Sequence, residues 1–124
     1  MREIKFRAWN APLKKMEYDS LNAIGFDGRV YYGNADITGF FENIMQYTGL
    51  KDKNGREIWE GDIVLYDRNI APSIDSRKYV VEWYDGQFVL DNRSQTIDDF
   101  TSDLNLIEVI GNIYENLELL EEIK

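Results

Sequence analysis

The sequence predicts a mainly β protein built from antiparallel sheets, with one short helix at its C-terminus. Three observations carry that prediction. Asp27-Gly28, Asn54-Gly55 and Asp85-Gly86 are hairpin dipeptides, because Asn-Gly and Asp-Gly readily adopt the positive φ of a tight type I′ turn. β-Branched and aromatic runs lie beside them, most plainly Ile63-Val64-Leu65-Tyr66 and Tyr79-Val80-Val81-Glu82-Trp83-Tyr84, and such runs suit a pleated, largely buried surface. Helical spacing is read only after Asn116, where Leu117, Leu120 and Ile123 recur.

In chain order, Ile4 to Trp9 alternates, with Ile4, Phe6 and Ala8 on one face and Lys5, Arg7 and Trp9 on the other, as expected of a strand. Asn10-Ala11-Pro12-Leu13 is a turn, and Lys14 to Tyr18 returns antiparallel. Phe26-Asp27-Gly28-Arg29 turns a second hairpin whose return strand is Val30-Tyr31-Tyr32, whereas Asn34 to Asn43 has no decisive pattern. The central hairpin turns at Asn54-Gly55, and Glu60-Gly61-Asp62 bends the chain into Ile63 to Tyr66. Asp67 to Lys78, polar and containing Pro72, reads as an exposed loop. In the third hairpin Val81 and Trp83 share a face with Phe88 and Leu90, and Asp91 to Asn105 follows as a polar connection. Leu106 to Tyr114 is a strand whose Gly111 implies a bulge or a close backbone approach. Asn116 can cap the terminal helix, with Glu121 and Glu122 facing water. The expected core is Ile4, Phe6, Leu50, Ile58, Ile63, Leu65, Val81, Trp83, Phe88, Leu90, Val109 and Ile113, and Gly61 and Gly111 are expected to serve backbone geometry.

Composition then removes reaction classes. The 124 residues, 44% apolar, suit one domain. With neither His nor Cys, the chain has no Ser-His-Asp or Cys-His system, no His/Cys zinc site and no disulfide. No apolar window spans a bilayer and the N-terminus is charged, so a cytoplasmic protein is expected. The net charge of −9 is uneven: residues 1–20 hold five basic and three acidic side chains (+2), and 97–124 hold eight acidic and one basic (−7). Such a balance opposes tight binding to duplex DNA, because affinity there is built from Lys and Arg contacts that release counterions.

Four constellations invite a chemical reading. Glu57, Glu60 and Asp62, with Asp67, could hold magnesium through oxygen ligands, although the spacing is not diagnostic. Asp52-Lys53-Asn54-Gly55 looks like a calcium loop but has its glycine at the fourth position, not the sixth. Arg2, Lys5, Arg7, Lys14 and Lys15, interleaved with Trp9 and Tyr18, could stack on a single strand of nucleic acid; an ordinary solvated sheet face is the better account. Trp9, Trp59, Trp83, Tyr31, Tyr32, Tyr66 and Tyr84 could form a binding face, although packing suits most of them better. The acid-x-Lys strings Glu3-Ile4-Lys5 and Glu122-Ile123-Lys124 lie at the chain ends and match no nuclease arrangement, and no glycine-rich phosphate loop follows a strand. No catalytic, cofactor-binding or metal-ligating residue is assigned.

Longer strings resemble a known family. Met45 to Gly55, then Ile58 and Glu60-Gly61-Asp62-Ile63-Val64, the opening Met1 to Trp9, Val81-Glu82-Trp83, and Val109-Ile110-Gly111-Asn112-Ile113-Tyr114-Glu115-Asn116 are similar to the YopX family of phage and prophage proteins. Leu117 stands where relatives often have proline. The resemblance implies coiled antiparallel sheets, with a hairpin lobe over 1–44 and an SH3-like barrel portion over 45–124, and a temperate-phage origin in a bacterial host. It implies no activity, cofactor or catalytic residue. The resulting expectation is a non-enzymatic accessory protein that binds a host or phage protein, with homo-oligomerisation open to it. The alternatives are a metal-dependent enzyme acting on nucleic acid and an acidic mimic that occupies a DNA-binding protein.

Overall fold

A computed structural model describes residues 5–11, 13–18, 23–24, 30–32, 35–36, 42–67, 78–93 and 95–123. The chain divides between Gln46 and Tyr47 into two compact units. In the first, β1 (Phe6–Asn10) lies between β2 (Lys15–Glu17) and the start of β6 (Glu42–Lys51), antiparallel to both. The Asn10 carboxamide closes the β1–β2 turn by accepting from Leu13 N at 3.2 Å, and Lys14 takes a positive φ of 52° there. A small antiparallel sheet joins β3 (Ala23–Ile24), β4 (Val30–Tyr32) and β5 (Ala35–Asp36). Ile24 pairs with Val30 as a hairpin requires, while the turn expected at Asp27-Gly28 lies outside the described residues.

The expected solvated face of β1 needs correction, because Arg7 is as buried as Ala8. β1 is an interior strand of its sheet and both its faces are covered at these positions. The Arg7 guanidinium is accommodated by Tyr18: Nη1 donates to the hydroxyl at 3.4 Å, and the ring centroid is 5.9 Å away. The register with β6 shifts between Ala8 and Trp9, a bulge that ends the simple alternation.

In the second unit, β8 (Asp62–Tyr66), β9 (Lys78–Tyr84), β10 (Gln87–Asp91), β11 (Thr96–Ile97) and β12 (Ile107–Asn112) form an antiparallel sheet of order β11-β10-β9-β8-β12. A 3-10 helix over Thr101–Leu106 precedes β12 and brings it back beside β8, so the sheet curls into a half-barrel. The half-barrel lies in the part of the chain where a barrel portion is expected. The polar connection after Asp91 is thus partly ordered, as β11 and the 3-10 helix. Residues 68–77 of the expected loop lie outside the described residues.

The central hairpin pairs β6 with β7 (Glu57–Trp59), but neither by the expected turn nor in unbroken register. Between Tyr47↔Trp59 and Lys51↔Glu57, β6 has more residues than β7. Gly49 takes a φ of 85° in the excess, and the Thr48 hydroxyl fills the broken ladder by donating to Ile58 O at 2.7 Å and accepting from Leu50 N at 3.1 Å. At the turn only Gly55 has positive φ, 80°. Gly55 N donates to Asp52 O at 3.0 Å and Asp52 N to Arg56 O at 2.8 Å. The hairpin therefore has a three-residue loop, Lys53 to Gly55, with a glycine bulge, not a type I′ turn at Asn54-Gly55; the Asp52 side chain decides it by accepting from Asn54 N and Arg56 N at 2.9 Å each. The type I′ form occurs instead at Asp85 (φ 53°) and Gly86 (φ 82°), where Tyr84 pairs with Gln87.

Both faces of the five-stranded sheet are covered. Inside lie Ile58, Val64, Tyr66, Tyr79, Val81, Leu90, Phe100, Ile107 and Val109. Outside, Ile63 and Val80 pack with Ile123, Ile110, Ile113, Leu119 and Leu120 at α1 (Leu117–Glu122). This two-sided cover explains why Ile63-Val64 and Val80-Val81 are buried in succession. Of the expected core, Ile58, Ile63, Val81, Leu90 and Val109 are buried, and Phe6, Leu50, Leu65, Phe88 and Ile113 are half-buried; Ile4 lies outside the described residues. Trp83 is a correction, being 48% exposed. It does lie opposite Phe88, as Val81 does Leu90, but β9 carries its inward face past the end of the core. There the Phe88 ring meets it edge-on, at 4.7 Å between centroids.

The closing string also differs in detail. Leu117 is exposed and Leu119 takes its place in the packing. Asn116 precedes α1 without a side-chain cap; its Oδ1 accepts from Asn112 N at 3.0 Å. Asn112 Oδ1 in turn accepts from Tyr114 N and Glu115 N at 3.0 and 2.9 Å. Gly111 makes this possible, because a Cβ there would lie 2.5 Å from Asn116 Oδ1, and β12 bulges against β8 between Val109 and Gly111. Of the uses expected of Gly111 the bulge is present, while the close approach is made by the Asn116 side chain and not by backbone.

Gly111→Ala therefore displaces the Asn116 side chain and leaves Asn112 N without its acceptor, costing about 1–3 kcal/mol in urea unfolding. The same change in an Asn116→Ala background costs less, because only the 3.0 Å approach to the Cβ of residue 116 then remains, so the two are non-additive. Gly61→Val, at φ 88°, costs about 1–3 kcal/mol from strain alone.

Candidate binding surface

The carboxylates singled out in the sequence are not assembled into a site. Asp62 is buried, and its Oδ2 accepts from Trp59 N at 2.8 Å, closing the bend at Glu60-Gly61. That bend separates Glu57, on β7, from Asp62, on β8, while Glu57 and Glu60 are half-buried and Asp67 is exposed. Among the described residues no group of three or more carboxylates is placed to hold a metal ion. Asp52 of the calcium-like string is occupied by backbone: besides the two turn amides, its Oδ2 accepts from Val109 N at 2.9 Å. Of the basic set, Lys14 and Lys15 are exposed, Lys5 is half-buried and Arg7 buried, so the charged face imagined for nucleic acid is depleted; Arg2 lies outside the described residues.

The aromatic set divides sharply. Trp59 is buried against Tyr47 (5.3 Å) and Tyr66 against Tyr79 (6.1 Å), and Trp9 is half-buried. The side chains of Tyr31 and Tyr32 lie outside what is described. Trp83 and Tyr84 remain at the β9–β10 turn, 48% and 67% exposed and on opposite faces of the strand.

Beside Trp83 is a pocket of about 360 Å³ lined by Thr48, Leu50, Gln87, Phe88, Asp98, Asp99, Phe100 and Thr101. Leu50 and Phe88 come from half-buried strand positions, Phe100 from the buried inner cluster, and the acidic rim from the segment that leads into the 3-10 helix. Asp99 Oδ1 accepts from Thr101 N at 3.2 Å and from its hydroxyl at 2.9 Å, which fixes this carboxylate at the rim. The Phe88 ring is shared between pocket and Trp83, so pocket and exposed indole form one apolar surface. Sequence reasoning missed the pocket because its walls come from three separate stretches. The signal that could have found it was Phe100, an aromatic residue isolated in a polar segment.

Glu82 has a raised proton affinity. It lies opposite Val89, diagonal to Asp91 on the neighbouring strand. Partial burial raises its pKa above the ordinary 4.5, and the charge of Asp91, a hydrogen bond with it and the charge of Glu60 push the same way. The folded state thus holds this proton more tightly than the unfolded chain. The stabilisation is complete below about 4.5 and is lost as pH rises through the elevated value. Glu82→Gln should accordingly gain stability over the native chain as pH rises from 4.5, read as a growing difference in urea midpoint; a constant difference would contradict this.

The strings that carry the family resemblance are largely taken up by backbone geometry: Thr48-Gly49 in the β6 bulge, Asp52 to Gly55 in the turn, Gly61-Asp62 in the bend, and Gly111-Asn112 with Asn116 at the end of β12. Comparison with known proteins agrees that the likeness is one of architecture. Among curated proteins none matches. The crystal structure of protein EF1440 from Enterococcus faecalis is similar at 34% identity and a TM-score of 0.66, covering 97% of this chain and 99% of that one. The crystal structure of protein yopX from Bacillus subtilis shares the fold at 24% identity and a TM-score of 0.56, with 97% of each chain covered. The family model described as YopX protein matches residues 5–121, and the chain therefore belongs to the YopX family.

Proposed function

We propose that this chain is a non-enzymatic protein-binding module, an accessory protein of phage or prophage origin that works in the cytoplasm of a bacterial host. The observation that carries this reading is the surface formed by Trp83 and the Phe88 pocket. Large aromatic groups left half-exposed beside a pocket are the usual anchors of protein interfaces. Strand addition is the weaker route to a partner here. β11 is only two residues long, and β12 is engaged on its outer side by the central turn, where Lys53 N donates to Ile107 O at 3.0 Å and Val109 N to Asp52.

The rival reading is a metal-dependent enzyme acting through Glu57, Glu60 and Asp62, and the engagement of Asp62 in the bend speaks against it. Titration with magnesium and manganese in a calorimeter should show no saturable heat; saturable binding that disappears in Glu60→Gln would replace the proposal with the enzyme. Twenty-three acids against fourteen basic residues, with Arg7 buried, likewise support no tight duplex binding. A random-sequence duplex should give no gel shift at submicromolar protein, and a salt-sensitive shift there would contradict this.

A further inference from the structure

We infer that the Trp83–Phe88 surface docks an extended peptide segment of the partner that carries an Arg or Lys beside a large apolar side chain. This rests on the protein-binding reading above and specifies its site and ligand chemistry. The pocket of about 360 Å³ has an apolar base of Leu50, Phe88 and Phe100, enough room for one large side chain. Its rim is acidic: Asp98 and Asp99 line it, and no basic side chain is among its lining residues. A cation entering there meets complementary charge, on a chain whose net charge of −9 favours the approach of a basic segment.

The rim is also organised in advance. Because Asp99 is held by Thr101 N and Oγ1, its carboxylate loses little freedom when a guanidinium or ammonium arrives. The Trp83 indole, touched edge-on by Phe88 and 48% exposed, extends the apolar base beyond the pocket. In an extended ligand, residues two apart lie about 6.5 Å from each other on one face. One side chain can therefore fill the pocket while a neighbour covers the indole, and the basic residue remains at the rim. The same exposed acids disfavour a second copy of this chain as occupant, since each copy would bring its own negative charge.

The test uses the full chain and a displayed library of random peptides about a dozen residues long. Selected peptides should combine Arg or Lys with Leu, Met, Phe or Trp, and a synthesised winner should lose about tenfold or more in affinity against Trp83→Ala and against Asp98→Lys. Asp98 and Trp83 are exposed, so neither change threatens the fold, and circular dichroism confirms it. Glu121→Lys, an equal change of net charge on α1, should alter affinity by less than about twofold. Equal losses in Asp98→Lys and Glu121→Lys would reduce the effect to bulk charge and overturn the proposal. So would winners without basic residues, no winners at all, or a concentration-dependent dimer in sedimentation that Asp98→Lys dissolves, which would make the occupant a second copy. A lysate capture run in parallel separates the two readings: a partner retained equally by Trp83→Ala and Asp98→Lys overturns this site while leaving the protein-binding reading intact.

Discussion

The carboxylate of Asp52 is the interaction on which the second unit depends. Its two oxygens receive three backbone amides: Asn54 and Arg56, which fix the glycine-bulge turn, and Val109, on β12. Hydrogen bonds to a charged acceptor are worth about 1.5–3 kcal/mol each, and here one of the three joins residues 57 positions apart. Around the same point Lys53 N donates to Ile107 O and Arg56 Nη1 lies 3.4 Å from Val109 O. The turn thus serves as the missing neighbour of β12. A half-barrel that would otherwise end on an open strand is closed by a side chain and a turn, and the pairing of β12 with β8 is locked from behind.

This constraint shows what was legible in the sequence. Local turn chemistry was: the Asp85-Gly86 hairpin and the bend at Gly61 are set by residues adjacent in the chain, and the Val81–Leu90 and Trp83–Phe88 pairings follow by counting outward from the turn. Gly111 could be read because a glycine inside an apolar strand gives up packing and backbone order, a cost that a bulge or a close backbone approach offsets. At Asn54-Gly55 the dipeptide pointed to the wrong turn type, since the local preference for a type I′ turn was outweighed by an aspartate two residues earlier. Alternation predicted the faces of β9 correctly but not their depth. Burial depends on what lies across the sheet, and at Trp83 the core has already ended.

The binding surface was less legible for a related reason. A catalytic or metal site made from one stretch leaves spacing behind, but this pocket is assembled from Thr48 to Leu50, Gln87-Phe88 and Asp98 to Thr101, each ordinary by itself. The acidic cluster that stood out, Glu57 to Asp62, stood out through proximity in sequence, and the bend undoes that proximity. Conversely, Glu82 drew no notice as a sequence position, yet its strand register sets it diagonal to Asp91 and raises its proton affinity.

The turn and bend residues of the family-resembling strings and the exposed groups of the proposed surface do different work, although Trp83 and the pocket residues Thr48 and Leu50 themselves lie in such strings. Asp52, Gly61 and the Gly111–Asn116 contact hold backbone in place, and the Asp52 oxygens already accept three backbone amides. Trp83 and Asp98, in contrast, stand exposed at a hairpin tip and a loop, outside both apolar clusters. A small barrel whose edges are closed by such turns can change the side chains of one hairpin and one loop at little risk to its fold. On that physical ground, likeness in the turn strings accounts for the shared scaffold, whereas the exposed groups of the proposed surface, Trp83 and Asp98, lie outside the apolar clusters that hold that scaffold together.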